Sequence, residues 1–268
     1  MPDAAATWSP APDLVARLAG TRFGDVRRFA CVDSTNRYLL TEPTRDEGVV
    51  AVADEQTAGR GRHGRTWDAK PGAALLASVR LRPALPPERV HLVTLACAVA
   101  AADAVRAVAG FDAGLKWPND LVVADRKLAG ILAEADGAGT VVVGMGLNLR
   151  AGAYPAELAE VATTCDEHSD RAVARDELLT VWLRMFDGRL DALDDIVDAA
   201  AARSATLGRE VRVELAREAF AGTATALTAE GYLVVTRADG TERVVTAGDV
   251  VHVRPAPATR ITGRSRDS

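Results

Sequence analysis

Hydrophobic segments that border polar clusters are the feature that most constrains the fold of this chain. GVVAVADEQ (48–56) and GMGLN (144–148) pass from apolar residues typical of a buried strand into amide or charged side chains. The same change occurs at GLKWPND (114–120) and at RKLAGIL (126–132), where polar residues occupy a turn and a hairpin. Because ligands collect at strand ends in mixed α/β sheets, these clusters predict one shared binding site.

Two segments are predicted to be largely helical, at 88–109 and 173–200. The longest apolar stretch lies in the first of them, at about 92–109, and is broken by Asp103 and Arg106. A stretch interrupted by charges in this way predicts a buried core helix rather than a membrane span.

The patterning divides the chain into a main domain and a smaller one. After about residue 205, short alternating segments are separated by Gly and Asp-Gly turns, which is typical of a small β-barrel. The predicted order is an N-terminal tail with a short helix (1–20), a main domain that carries the site (21–204), a C-terminal β-barrel (205–254) and a disordered tail rich in Pro, Ser and Arg (255–268).

Composition excludes several classes of function. The formal net charge of -5 argues against extensive nucleic-acid binding. Cys31, Cys97 and Cys165 show neither metal-ligand spacing nor a disulfide framework, which favours a reducing cytoplasm. The N-terminal residues lack a basic start followed by an apolar run, so we expect no signal peptide.

The segment QTAGRGRHGRTW (56–67) alternates glycine with arginine. Glycines at 59, 61 and 64 permit positive φ and predict a nest of inward-facing N–H groups for an anion. Arg60, Arg62 and Arg65 add planar donors suited to phosphate or carboxylate. A solvated loop is the alternative, and the absence of GK[ST] excludes a Walker A loop.

The other clusters each have an ordinary structural explanation as well. KWPND combines Lys116, Asn119 and Asp120 in a segment that also suits a polar turn, and Lys127 also suits an exposed hairpin. Asn148 also suits the end of a strand. We favour a binding site because all the clusters border hydrophobic strands in the same way.

Five motifs, in order, resemble those of the bacterial biotin protein ligases over roughly residues 25–254. They are STN (34–36), EQTAGRGRHGRTW (55–67), LKWPNDL (115–121), KLAGILAE (127–134) and VGMGLN (143–148). The resemblance implies an α+β fold, with a mixed β-sheet, helices packed on one face and a small C-terminal barrel like a Src-homology-3 domain. It also implies a two-step reaction: biotin and ATP give biotinyl-5′-adenylate and pyrophosphate, and biotin then passes to a carrier-protein lysine.

The resemblance also implies roles for individual residues. The biotin-binding residues would be Ser34, Thr35, Asn36, Gln56, Arg60, Gly61, Arg62 and Lys127. The residues that hold ATP or the adenylate would be Gly59, Arg60, Arg62, Arg65, Trp67, Lys116, Asn119, Asp120 and Asn148. The catalytic residues would be Lys127, Arg62 and Asp120, with Mg²⁺ on the leaving pyrophosphate and no direct protein ligand to the metal.

The implied partner is the biotin carrier domain of acetyl-CoA, propionyl-CoA or pyruvate carboxylase. Fewer than about 25 residues precede the ligase-like region, too few for a helix-turn-helix domain, so we expect a short form without DNA binding. We expect a cytoplasmic protein with no nucleic-acid or membrane partner, either a monomer or a homodimer. ATTCDEHS (162–169) departs from the family pattern, so the structure of residues 160–172 is not predicted.

Two alternatives remain open at this point. A lipoate or octanoate ligase or transferase resembles this fold, and an octanoyl transferase would use a cysteine–lysine pair, with Cys97 or Cys165 as the thiol. The glycine–arginine loop and KWPND favour biotin, and buried cysteine is the ordinary expectation. The other alternative is a non-catalytic biotin sensor or DNA-binding regulator, which needs a nucleic-acid surface that the charge does not suggest.

Overall fold

The computed structural model describes residues 9–43, 46–215, 217–246 and 248–252. The predicted disordered tail and residues 1–8 lie outside this range. The first sheet has eight strands: β1 (Ser9–Pro10), β2 (Asp25–Val32), β3 (Val49–Gln56), β4 (Ala74–Leu81), β5 (Gly114–Lys116), β6 (Asp120–Val123), β7 (Arg126–Ala135) and β8 (Val141–Asn148).

The strand order of the first sheet is β1-β2-β3-β4-β8-β7-β6-β5. β2 and β3 are parallel and the remaining pairs are antiparallel, so the sheet is mixed, as predicted. Every residue of β4 is buried, which explains its continuous apolar character. The predicted tail was wrong at Ser9–Pro10, because this segment pairs with β2 as an edge strand.

Helices cover both faces of this sheet. They are α1 (Pro12–Arg17), α2 (Thr35–Thr41), α3 (Leu92–Ala109), α4 (Arg175–Asp191) and α5 (Ile196–Ala201). The long helices α3 and α4 pack on one face with Val50 and Leu75, as expected. The short α2 packs on the opposite face, where its Leu39 meets Phe29 and Ala51. This second face is the one that positions the functional site.

α3 is the buried helix predicted from the long apolar stretch. Its length and composition would allow it to cross a membrane, yet 78% of its residues are buried inside the protein. Asp103, one of the two charges in the stretch, forms ion pairs of 2.8 Å with Arg189 and 2.7 Å with Arg203. The charge therefore ties α3 to α4 and to the segment that follows α5.

The second sheet contains β9 (Glu210–Glu214), β10 (Ala219–Leu227), β11 (Leu233–Thr236), β12 (Glu242–Val245) and β13 (Asp249–His252). Its five strands are antiparallel in the order β12-β11-β10-β9-β13. The predicted closed barrel is not found among the described residues, because β12 and β13 are edge strands of four residues each that do not pair. Alternation predicted the strands and their buried face, but it carries no information about closure.

Candidate active site

A cavity of about 420 Å³ lies over the face of the first sheet that carries α2. All the predicted site residues except Gly59 and Asn148 line it: Ser34, Thr35, Asn36, Gln56, Arg60, Gly61, Arg62, Arg65, Trp67, Lys116, Asn119, Asp120 and Lys127. Motifs separated by almost a hundred residues therefore converge on one site, as the strand-end argument predicted.

The N-terminus of α2 forms one end of the cavity. Ser34 is the N-cap of α2, and its side chain accepts a hydrogen bond from the backbone N–H of Arg37. Thr35 donates to Gln56 Oε1 through its backbone N–H at 2.8 Å and its hydroxyl at 3.0 Å. Ser78 Oγ donates to Asn36 Oδ1 at 2.6 Å. These buried contacts fix the polar side chains before any ligand arrives.

Glu134 joins this end of the cavity to the glycine–arginine loop. Its carboxylate accepts from Asn36 Nδ2 at 2.9 Å and pairs with Arg60 Nη1 at 3.0 Å. Asn36 Nδ2 also donates to Leu132 O at 3.1 Å. One carboxylate thus orients an amide and a guanidinium that both face the cavity.

Glycines make the floor of the cavity. Gly144 and Gly146 alternate along β8 and face the same side of the sheet, and Gly146 pairs in register with Gly130 of β7. A Cβ atom at Gly146 would lie 2.4 Å from the indole of Trp67, and one at Gly130 would lie 2.9 Å from it. The missing side chains therefore allow Trp67 to lie directly on the sheet.

The glycine–arginine loop is a small hairpin closed by a bridge between Arg60 and Thr66. Gly64 has positive φ, as predicted. Gly61 instead has φ of -122° and donates its N–H to Arg65 O at 2.7 Å, so the predicted nest of inward-facing amides was wrong there. Gly59 is required for close approach, since a Cβ would lie 2.2 Å from Trp67 O. Gly59 thus shapes the loop without lining the cavity.

The KWPND motif connects several parts of the molecule. Lys116 and Asp120 face the cavity, whereas Trp117 is buried in the core of the second sheet and donates from Nε1 to Gly231 O at 3.1 Å. Asn119 donates to Ile131 O at 2.8 Å and accepts from Arg62 Nη1 at 3.1 Å. The motif therefore positions both a loop arginine and the second sheet.

Lys127 is held on both sides of its backbone. Its N–H donates to Val161 O at 2.7 Å, and its carbonyl accepts from the N–H of Thr163 at 2.9 Å. Its Nζ lies 2.8 Å from Asp120 Oδ1 and 5.5 Å from the centroid of the Trp67 ring. The segment that the sequence left unpredicted thus supports the lysine at the centre of the site.

Asn148 lies beneath Lys127 rather than on the cavity wall. It is buried, and its Nδ2 donates to Thr163 O at 2.9 Å and to Lys127 O at 3.3 Å. Its Oδ1 has no hydrogen-bond partner among the described residues. In this structure Asn148 positions Lys127, and its contact with a nucleotide stays a prediction.

Cationic side chains concentrate at this cavity. Arg60, Arg62, Arg65, Lys116 and Lys127 line it. Burial lowers the pKa of Lys116, and the nearby positive charges of Lys127 and Arg65 lower it further, whereas Asp120 raises it. Burial likewise lowers the pKa of the Arg62 guanidinium. Burial and mutual repulsion make these charges unfavourable in the empty cavity. A ligand that carries several negative charges would relieve the repulsion, so the cavity suits such a ligand.

Comparison with known proteins identifies the family of the chain. Residues 28–148 match the Biotin/lipoate A/B protein ligase family, and residues 206–253 match the Biotin protein ligase C terminal domain. The chain is 37% identical over 248 residues to a Mycobacterium tuberculosis protein named "Biotin--[acetyl-CoA-carboxylase] ligase", with 88% of this chain and 92% of that relative covered. The chain belongs to the biotin protein ligase family.

Solved members of the family share the fold. The biotin protein ligase from Aquifex aeolicus in complex with biotin and ATP is 26% identical, with a TM-score of 0.76 over 86% of this chain and 99% of that one. The biotin protein ligase from Leishmania major in complex with biotinyl-5-AMP is 26% identical, with a TM-score of 0.59 over 83% and 98%. The predicted fold class and enzyme class are confirmed.

Several groups that shape this cavity were not predicted from the sequence. Ser78 is a buried polar residue within an apolar strand, and Glu134 is a carboxylate at the end of the quoted KLAGILAE motif; both signals were available. The spacing of Gly144 and Gly146 also indicated a bare strand face. Asp249 carried no local signal, because only the packing of the second sheet brings it to the cavity.

The cysteines lie away from this cavity. None of the three, all of which the structure describes, lines the cavity. Burial raises the pKa of the Cys97 thiol, and burial raises the pKa of Cys165 to about 12. A buried thiol with a raised pKa is a poor nucleophile, which disfavours the octanoyl transferase alternative.

Proposed function

We propose that the protein is an ATP-dependent biotin–protein ligase that forms biotinyl-5′-adenylate and then biotinylates one lysine of a carrier domain. The observation that carries this proposal is the convergence of the STN, glycine–arginine, KWPND and KLAGILAE motifs on one cationic cavity. A lipoate or octanoate ligase is the alternative, and the family relatives named for biotin disfavour it.

Biotin would occupy the end of the cavity beside α2. Its ureido head would bind Ser34, Thr35 and Asn36, with Gln56 holding Thr35 in place. Its carboxylate would reach Arg60, Gly61, Arg62 and Lys127 at the other end. This orientation matches neutral polar groups to the ureido ring and cations to the carboxylate.

ATP would bind along the loop and the KWPND turn. Arg65 and Lys116 would meet its phosphates, Trp67 would pack against adenine, and Asn119 and Asn148 would complete the nucleotide site. No group of three or more His, Cys, Asp or Glu side chains in the described parts of the chain could hold a metal ion. We propose that Mg²⁺ arrives on the phosphates, where it would neutralise the leaving pyrophosphate.

The first step joins two anions, so the site must neutralise charge. A carboxylate oxygen of biotin attacks the α-phosphorus of ATP, and the bond from that phosphorus to the bridging oxygen of pyrophosphate breaks. Arg60, Arg62 and Lys127 would stabilise the added negative charge of the transition state. Donors in comparable oxyanion sites contribute roughly 3–4 kcal/mol each, so these residues account for much of the expected rate.

The second step transfers the biotinyl group to an amine. The carrier lysine attacks the acyl carbon of the adenylate, AMP leaves, and the amine loses a proton. Asp120 would orient or deprotonate that lysine, and its ion pair with Lys127 would hold its carboxylate in place. Closure of the glycine–arginine loop would exclude water, which would otherwise hydrolyse the adenylate.

The acceptor we propose is the carrier domain of acetyl-CoA carboxylase, in line with the name of the Mycobacterium tuberculosis relative. Carrier domains of propionyl-CoA and pyruvate carboxylases carry the same chemistry. We propose that the protein acts in the cytoplasm, without a nucleic-acid or membrane partner. Both a monomer and a homodimer are compatible with this proposal.

Pyrophosphate exchange tests the proposed function. Purified protein, ATP and Mg²⁺ should exchange labelled pyrophosphate into ATP when biotin is added. Exchange with lipoate alone would move the protein to the lipoate ligases. Absence of exchange with either acid would contradict the proposed first step.

Replacing Arg62 should allow biotinyl-adenylate to escape from the cavity. Arg62→Ala removes the hydrogen bonds of 3.1 Å to Asn119 and 3.0 Å to Gly248 O, as well as a donor to the adenylate. We expect adenylate release to rise by at least about tenfold, because charge-assisted hydrogen bonds are lost. Proteomic analysis should then find biotin on many lysines; labelling confined to the carrier lysine would contradict the prediction.

ATP affinity should weaken at alkaline pH because of Lys116. Its pKa is lowered from 10.5 mainly by burial, so the free protein loses this charge at a lower pH than an ordinary lysine does. Phosphate binds the charged form, so the KM for ATP should rise as pH increases through that lowered pKa. Lys116→Arg keeps the charge at these pH values and should flatten the rise. Identical pH profiles for the two proteins would contradict the prediction.

A further inference from the structure

Among the described residues, the ion pairs and hydrogen bonds that join the second sheet to the glycine–arginine loop involve Asp249 and its neighbouring carbonyl. Asp249, at the start of β13, forms an ion pair with Arg65 Nη2. The same carboxylate lies 3.7 Å from Arg62 Nη1 and 3.7 Å from His63 Nε2. Arg62 Nη2 also donates to Gly248 O at 3.0 Å. The loop that covers the cavity is therefore joined to the second sheet.

Strand pairing holds the backbone of Asp249 in place. β13 pairs with β9, where Asp249 lies opposite Glu214. The second sheet is in turn anchored to the first by Trp117, whose backbone N–H donates to Thr206 Oγ1 at 3.0 Å and whose Nε1 donates to Gly231 O at 3.1 Å. The backbone of Asp249 is therefore held by strand pairing, and the next residue, Val250, packs in the core of the second sheet.

Few other contacts hold the described tip of the loop, residues 63–66, over the cavity. Its residues 63–66 are exposed, so apolar burial contributes little to its closed position. The side chain of Arg65 is 63% exposed, whereas those of Asp249 and Arg62 are 27% and 22% exposed. Trp67 packs on the sheet at the end of the loop, whereas the contacts that residues 60–65 make beyond the loop are polar: Arg60 with Glu134, Arg62 with Asn119, and the group centred on Asp249.

We propose that Asp249 is a positioning residue that clamps the glycine–arginine loop over the cavity, so that the C-terminal sheet keeps the reactive intermediate inside. The inference rests on the proposed function in one respect: that function identifies the intermediate as an acyl-adenylate. Asp249 acts through Arg62 and Arg65 and does not itself touch the substrate. Each guanidinium has five N–H donors, so one edge can hold Asp249 while another faces an anion.

The first test measures the loop in the unliganded protein. Asp249→Asn removes the charge but keeps the shape of the side chain. Hydrogen–deuterium exchange at the amides of Gly61, Arg65 and Trp67, which bond within the loop hairpin, should rise by about fivefold, the change expected when a partly screened ion pair is lost.

Glu214→Gln is the matched control for this measurement. It removes the same charge from the residue directly opposite Asp249. Glu214 also borders the cavity, but its carboxylate pairs with Arg212, and no ion pair joins it to the described residues of the loop. Its loop exchange should equal that of the unaltered protein. Equal exchange in Asp249→Asn and Glu214→Gln would overturn the clamp, whatever reaction the protein performs.

The second test measures retention of the intermediate. After a single turnover without acceptor, Asp249→Asn should release biotinyl-adenylate about fivefold faster than Glu214→Gln, with the KM for ATP raised more than kcat is lowered. Arg65→Gln should release the adenylate at least as fast, because Arg65 is also proposed to meet the ATP phosphates, and adding Asp249→Asn to Arg65→Gln should cause little further loss. Fully additive effects would overturn the pairing of Arg65 with Asp249.

The two tests separate failure of the clamp from failure of the proposed function. Faster loop exchange in Asp249→Asn supports the clamp even if the unaltered protein forms no adenylate with biotin, because the exchange experiment contains no substrate. Normal biotin-dependent adenylation together with unchanged exchange and release in Asp249→Asn would refute the clamp and leave the ligase activity standing.

Discussion

Lys127→Met is expected to lower the rate of biotin adenylation by about 10²- to 10³-fold, the loss typical of removing one donor from an oxyanion site. Methionine keeps a long, flexible side chain but carries no charge. The backbone of Lys127 is fixed by hydrogen bonds with Val161 and Thr163, so the methionine side chain should start from the same position. Pyrophosphate exchange gives kcat and KM, and the loss should fall mainly on kcat.

Lys70→Met is the control for this change. Lys70 is exposed and does not line the cavity, so the same substitution there should leave exchange within about twofold of the unaltered protein. Lys127→Met also leaves Asp120 without its ion pair, so the thermal midpoint of both variants should be measured. A folded Lys127→Met protein that retains most of its kcat would remove Lys127 from the first step.

Much of the site could be predicted from sequence because its residues are concentrated in short motifs next to strands. A motif such as KWPND is a specific sequence signal, because its side chains contact different parts of the structure. In the structure, Lys116 faces the cavity, Trp117 enters the core of the second sheet and Asn119 holds Arg62. The polarity of the segment predicted that the turn lies at a binding site. It did not predict which part of the structure each side chain contacts.

Contacts between distant segments could not be predicted in the same way. Glu134 reaches Asn36 and Arg60 only because β7 lies beside β8 and the loop folds over both. Asp249 belongs to an otherwise ordinary edge strand, and its importance depends on how the second sheet packs. The failure of the predicted amide nest at Gly61 has a similar cause, since the hairpin partner of its N–H is set by the loop as a whole.

Gly144→Ala is expected to weaken biotin binding by about 10- to 100-fold. The new Cβ would lie 2.1 Å from Asn36 Oδ1 and 2.9 Å from Ser78 Oγ, so Asn36 must move. Displacing Asn36 also breaks its bonds to Leu132 O and Glu134, and buried polar groups that lose their partners cost about 1–3 kcal/mol each. Isothermal titration calorimetry with biotin, without ATP, measures the effect directly.

Two other glycines show whether this effect is specific. Gly188→Ala in α4 has open space around the new methyl group, so biotin affinity should not change. Gly146→Ala would place its Cβ 2.4 Å from the Trp67 ring, and should therefore raise the KM for ATP more than that for biotin. If Gly144→Ala and Gly146→Ala weakened both substrates equally, the floor of the cavity would not be divided into a biotin end and a nucleotide end. If Gly144→Ala weakens mainly biotin and Gly146→Ala weakens mainly ATP, the two ends of the cavity are assigned to the two substrates. The reason is that Gly144 lies against Asn36 and Gly146 lies against Trp67.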